Sequence, residues 1–246
     1  MVEPIVYNRN FSKWFAKDVL RAIKKYHMIR EGDTVHVALS GGKDSMTLLY
    51  ILSYLRQFSY LQFELEALHV KTTDYDTTVM QAYCRNLGVP YLEAVLRKGP
   101  DPEEDQPCYI CSRLKRGALS ELLKQQRESR VAYGHHADDA AETFLMNMIQ
   151  NRKLGSFSPR VSVAGHPMVI IRPMIYLAEE TIRRLHAYAS LPLLDYRCPH
   201  EATGLRKEFK ERVAGLDAYF NTTGFSRRVV DAIENIDRTN IWSDVE

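Results

Sequence analysis

Ser40-Gly41-Gly42-Lys43-Asp44-Ser45 joins a short β-rich run, Thr34 to Leu39, to a helical pattern that includes Met46 to Arg56. Two glycines let a backbone approach an anion closely. Successive N–H groups at a helix start add donors and the positive end of the dipole. Lys43 supplies a mobile cation, Ser40 and Ser45 supply hydroxyls, and Asp44 is a carboxylate suited to recruiting Mg²⁺. The spacing is neither that of a Walker A loop nor that of a dinucleotide fingerprint. A second group, Gly134-His135-His136-Ala137-Asp138-Asp139 followed by Glu142-Thr143, follows another β-rich run. Asp138 or Asp139 there can complete Mg²⁺ coordination, or the segment can be an acid-rich N-cap with solvated histidines.

The cysteines form a third group. Cys108 and Cys111 stand at i and i+3, on one face of a helix's first turn, where thiolate is favoured. A thioredoxin-like redox pair is expected at the end of a first strand, whereas this pair follows an acidic, Pro-rich loop. A zinc site would draw on Cys108, Cys111 and Cys198 with Cys84 or His200. An iron–sulfur cluster usually takes four cysteines. Met80, Tyr83, Cys84 and Leu87 make one helical stripe, which reads Cys84 as a core residue. Cys198 lies in a polar loop where no core packing explains it.

These groups need a scaffold. Five β-rich runs (34–39, 65–70, 91–96, 130–133, 168–171) alternate with helical patterns, which predicts an α/β fold with a doubly wound, five-stranded parallel sheet. All strand C-terminal ends then share one edge, where open α/β sheets bind ligands. Residues 9–30 read as one basic amphipathic helix, and the chain after 196 as a small helical appendage.

The 246 residues have 45% hydrophobic and 26% charged content, which is ordinary for a globular protein. No apolar run is long enough to span a membrane, and the first ten residues do not resemble a signal peptide. A cytoplasmic protein with reduced thiols is the expectation. The net charge of +2 hides its distribution. Seven Lys/Arg face one acid over 9–30, six face two over 113–130, and seven face four over 197–228. Each stretch alone reads as a solvated helix face. Together, with Trp14, Tyr109, Tyr196, Phe209 and Phe225 nearby, they fit a phosphodiester backbone and an unstacked base.

The Ser40–Ser45 loop resembles the PP-loop of ATP pyrophosphatases, and Gly134–Thr143 resembles the same superfamily's GHHxDDxxET segment. Pro107-Cys108-x-x-Cys111-Ser-Arg-Leu-x-Arg-Gly117, with Arg172-Pro173-x-Ile-Tyr176, is similar to the tRNA 2-thiocytidine synthetase branch. Cys198 falls at that branch's third cluster ligand. The resemblance covers about residues 10 to 215. It implies an adenine nucleotide alpha hydrolase-like (HUP-type) domain over 31–196, flanked by the basic helix (1–30) and a helical segment carrying Cys198 (197–246).

It also implies ATP-dependent thiolation of cytidine 32 in tRNA, with a [4Fe-4S] cluster on Cys108, Cys111 and Cys198, ATP and Mg²⁺. Lys43, Asp44 and Asp139 are the implied catalytic residues. Ser40, Gly41, Gly42, Lys43, Asp44, Ser45, Gly134, His135 and Asp138 are the implied nucleotide site. The implied partners are tRNA and a sulfur donor, either a cysteine desulfurase or inorganic sulfide, and members of the branch are commonly homodimers. The chain departs from the branch after the second strand, where His69-Val-Lys71-Thr-Thr-Asp74-Tyr75-Asp76 replaces Asn-x-Asp and a Pro-Gly-Phe segment. A zinc-bearing PP-loop enzyme acting on another base, such as a lysidine-type ligase, and a non-catalytic ATP-binding module are the alternative expectations.

Overall fold

The computed structural model describes residues 7, 9–96, 107–124, 129–166, 168–196, 205–220 and 224–236. Helices α1 (Arg9–Ser12) and α2 (Ala16–Lys25) precede β1 (Thr34–Ala38), α3 (Lys43–Phe58), β2 (Glu64–Lys71), α4 (Thr78–Asn86) and β3 (Tyr91–Val95). Helix α5 (Pro107–Leu122), β4 (Ser129–Ala132) and α6 (Ala137–Asn151) follow. They lead to β5 (Arg160–Ser162), β6 (Met168–Ile171) and α7 (Glu179–Tyr188). Helices α8 (Leu205–Ala214), α9 (Leu216–Tyr219) and α10 (Phe225–Glu234) close the described chain.

The sheet order is β3-β2-β1-β4-β6-β5. The five expected strands are present and parallel, each within one residue of its expected ends. The sheet has a sixth strand, however: β5 pairs antiparallel with β6, Val161 opposite Ile170. It is only three residues long and largely exposed, so it carries no hydrophobic run that could announce it. Central β1 and β4 are buried along nearly their whole length, as parallel strands covered on both faces must be.

Helix α3 is buried without interruption from Ser45 to Leu55, so the helix that follows the phosphate loop is clamped on all sides. The expected single helix over 9–30 is instead two helices, broken at 13–15 and ended at Lys25. The chain leaves helical geometry through His27, at φ +49°, which turns Met28 and Ile29 into the core. The apolar stripe of α2 (Val19, Ala22, Ile23) joins that same core. Helices α8 and α10 pack on α6. No helix among the described residues is long and apolar enough to cross a membrane.

Candidate active site

Strands β1 and β4 are neighbours, and the loops leaving their C-terminal ends meet at the point where the strand order reverses. The contact is backbone to backbone: a Cβ on Gly134 would lie 3.0 Å from the Asp44 carbonyl carbon and 3.1 Å from Ser45 N. Gly134 therefore serves the fit between two loops. Together they floor a cleft of about 320 Å³ lined by Ser40, Asp44, Ser45, Gly134, His135 and Asp139. Leu39, His69, Tyr75, Lys115, Tyr133 and Tyr196 complete its walls.

The loop is braced by its own serines. Ser45 Oγ accepts from Ser40 N (3.1 Å) and donates to Gly42 O (3.0 Å). Gly41, at φ +82°, adopts the left-handed conformation that glycine tolerates best. The N-cap of α3 is Gly42, which has no side chain to cap the first turn, so the N–H groups there are suited to binding an anion. Lys43 Nζ bonds Asp44 Oδ1 at 2.5 Å and Glu179 Oε1 at 3.2 Å. Glu179 also holds Lys210 of α8 at 3.0 Å. Burial alone would raise the Glu179 carboxyl, but Lys210 and Lys43 hold it below its usual range.

The second loop divides its labour. Asp139 lines the cleft and accepts from His136 N (3.0 Å). Asp138 stands outside the cleft lining and accepts from Glu179 N (2.7 Å) and Ser226 Oγ (2.8 Å), so it fastens α6 to α7 and α10. His136 is buried between Asp138 (3.5 Å from Nδ1) and Asp139 (3.4 Å from Nε2). Burial opposes its charge, yet Asp138, Asp139 and Asp44 outweigh that and raise its pKa. Burial likewise opposes the Asp138 charge, but His136 and two hydrogen bonds pull that carboxyl down to about 2. His135 Nδ1 accepts from Arg172 Nε (3.2 Å), and desolvation lowers the Arg172 guanidinium to about 10.

At the cleft mouth Tyr75 and Tyr196 stack at 4.2 Å between ring centroids. Tyr75 also bonds His69 Nε2 (2.9 Å). Burial, then Tyr196, Glu93 and nearby Cys111, push the Tyr75 phenol up to about 12. Cys111 is half-buried on the first turn of α5, whose next turns place Lys115 and Leu119 in the cleft wall. Cys108 shares that turn through its backbone; its side chain, and the whole of Cys198, lie outside the described residues. Cys84 is fully buried, and burial pushes its thiol up to about 12, as a core residue requires.

Ser40, Asp44, Ser45, Gly134, His135 and Asp139 are thus brought to one cleft, while Lys43 reaches sideways to Glu179. Glu179, Lys210, Ser226, His69 and Tyr75 were not among the site residues expected from sequence. Glu179, Lys210 and Ser226 come from segments with no motif of their own, whereas His69 and Tyr75 belong to the 69–76 stretch where the chain departs from the branch. Among the described residues no group of three or more His, Cys, Asp or Glu is arranged to hold a metal ion.

The family model of the PP-loop domain matches residues 12–197. The tRNA-cytidine(32) 2-sulfurtransferase of Idiomarina loihiensis is 34% identical over 232 residues, 91% of this chain and 77% of that protein. The tRNA-cytidine(32) 2-sulfurtransferase of Pseudomonas fluorescens is 32% identical over 225 residues, 87% of this chain and 81% of that protein. Among solved structures, the U34-tRNA thiolase NcsA of Methanococcus maripaludis, determined with its [4Fe-4S] cluster, shares the fold. Its TM-score is 0.70 and its identity 22%, over 98% of this chain and 90% of that one. The chain belongs to the PP-loop domain family, in the group of the tRNA-cytidine(32) 2-sulfurtransferases.

Proposed function

We propose that this protein is an ATP-dependent tRNA sulfurtransferase that converts cytidine 32 to 2-thiocytidine. The observation that carries the reading is the junction of the Ser40–Ser45 and Gly134–Asp139 loops at one cleft, in a chain that is a third identical to such enzymes. A C2 carbonyl oxygen is a poor leaving group. Its attack on the α-phosphorus of ATP forms a C2–O–P bond, breaks the Pα–O bond to pyrophosphate and converts that oxygen into part of a good leaving group, AMP. Sulfide then adds at C2 and AMP departs. The α3 N-terminus and Lys43 bind the phosphates and stabilise the leaving pyrophosphate. Asp44 and Asp139, the two cleft carboxylates, are the residues that would hold Mg²⁺. Chemistry on the base requires it to leave the stack, and exposed Arg113 and Arg116 beside Lys115 favour an RNA backbone at the cleft mouth.

The cysteines fit a [4Fe-4S] cluster better than a closed zinc site. Cys108 and Cys111 share the first turn of α5, and Cys111 neighbours Tyr75. Tyr75 stacks on Tyr196, only two residues before Cys198, and two residues of chain span at most about 7 Å. With Cys84 sealed in the core, Cys108, Cys111 and Cys198 would hold the cluster, which when bound would carry the incoming sulfide. Cys198→Ala should abolish iron and sulfide incorporation in anaerobically purified protein while ATP affinity stays within about twofold of wild type. An intact cluster in that variant, or zinc in the wild type, overturns the assignment.

A further inference from the structure

Helix α8 lies outside both nucleotide motifs, yet it delivers a cation to the same carboxylate that Lys43 of the phosphate loop meets. Lys210 Nζ is 3.1 Å from Glu179 Oε1 and 3.0 Å from Oε2, and Lys43 Nζ is 3.2 Å from the same Oε1. Two ammonium groups, one from the phosphate loop and one from the C-terminal segment, therefore converge on one carboxylate oxygen. Glu179 opens α7, where the helix dipole favours an anion. Its own N–H is fixed on Asp138.

We infer that Lys43, Lys210 and Glu179 form a pyrophosphate subsite, in which Lys210 is a second phosphate-binding cation and the Glu179 carboxylate holds the anion position until phosphate displaces it. The inference rests on the reading that ATP is cleaved here to AMP and pyrophosphate. Without an anion between them, the two lysines would repel each other. In the free protein Glu179 lies between them and holds Lys210, while Lys43 is shared between Glu179 and Asp44, 2.5 Å away. The Lys210 side chain is about half-exposed, so its pair with Glu179 contributes little to stability and exchanges partners at small cost. Pyrophosphate carries more charge than a carboxylate and more acceptor oxygens, so it wins both lysines once Mg²⁺ accompanies it. The consequence is a link between the anion site and α8, which follows the Cys198 segment in sequence.

The test is calorimetric titration of the full chain with magnesium pyrophosphate. Lys210→Met should weaken binding by about tenfold or more, and Lys210→Arg should stay within about threefold of wild type. Glu179→Gln should bind several-fold more tightly, because the competing carboxylate is gone. Unchanged affinity in Lys210→Met, or weaker affinity in Glu179→Gln with an unaltered melting temperature, overturns the inference. Loss of the Lys210 effect leaves the thiolation reading intact if the wild type still thiolates tRNA. Pyrophosphate binding that depends on Lys210, in a protein that forms no AMP with tRNA, overturns the thiolation reading and leaves the subsite.

Discussion

The main-chain N–H of Leu194 donates to the Gly41 carbonyl at 3.0 Å, and the Leu194 side chain fills the space above the Gly41 Cα. The phosphate loop is therefore seated against the segment 191–196, whose Tyr196 also lines the cleft.

Gly41→Ala tests that seating. An added Cβ would meet Leu194 Cβ at 2.4 Å, at a residue already at φ +82°. Left-handed strain and overpacking together should cost roughly 2–4 kcal/mol. Thermal unfolding should show a melting temperature lower by about 5–12 °C, with ATP affinity reduced. Gly42→Ala is the control: Gly42 has φ −81° and only Ser40 Oγ nearby, at 3.5 Å, so its melting temperature should hardly move.

The His136–Asp138 pair predicts a pH window for stability. The His136 pKa is raised above 6.5, so its contribution is whole below that pH and is lost as pH rises through the folded value. The Asp138 pKa falls from 3.8 to about 2, so its contribution is present above pH 3.8 and is lost as pH falls toward 2. Asp138→Asn should cost about 2 kcal/mol near pH 5.5 in denaturant titrations. The gap to wild type should narrow at about pH 3, and again as pH rises above 6.5 through the raised His136 value. A gap independent of pH contradicts the pairing.

Cys84 and Cys111 should behave oppositely. With its thiol raised to about 12 and no exposure, Cys84 should resist alkylation in the native protein, whereas half-buried Cys111 should react when free of metal. Cys84→Ala should cost about 1–2 kcal/mol through the cavity it leaves, with iron content unchanged. Cys111→Ala should lose the iron. Mass spectrometry of alkylated peptides and metal analysis check both.

Helix α10 is held by Glu234, whose Oε1 accepts from Tyr26 and Tyr176 and whose Oε2 meets Lys25 at 2.7 Å. Glu234→Ala should cost about 2 kcal/mol, because bonds to a charged acceptor are lost and two phenols, half-buried Tyr26 and buried Tyr176, are left without it. Because α10 also carries Ser226 onto Asp138, catalytic turnover should fall further than ATP binding. A melting temperature within about 1 °C of wild type contradicts this clasp.

Much of this site was legible because its chemistry is local. The Ser40–Ser45 and Gly134–Asp139 groups each lie on one strand-to-helix turn, so spacing alone places their residues on the sheet's C-terminal edge. The five parallel strands were legible as apolar runs, and Cys84 as a core residue from the stripe it shares with Met80 and Tyr83. Tertiary relationships were not legible. Glu179 begins a helix with unremarkable acids, and nothing in Leu205–Ala214 marks Lys210 as different from its basic neighbours. Strand β5 escaped because three largely exposed residues carry no periodicity. The helix expected over 9–30 stops at Lys25, because a turn at His27 carries Met28 and Ile29 into the core outside helical geometry.

The central claim is that ATP cleavage here serves thiolation of a cytidine. The direct measurement is nucleoside mass spectrometry of unmodified tRNA incubated anaerobically with cluster-loaded protein, ATP, Mg²⁺ and sulfide, with AMP and pyrophosphate quantified alongside. The account predicts 2-thiocytidine at position 32, one AMP and one pyrophosphate per sulfur incorporated, and none of the three when ATP is omitted. Sulfur on a uridine, a lysine adduct on cytidine, or ATP cleavage that yields ADP would contradict it.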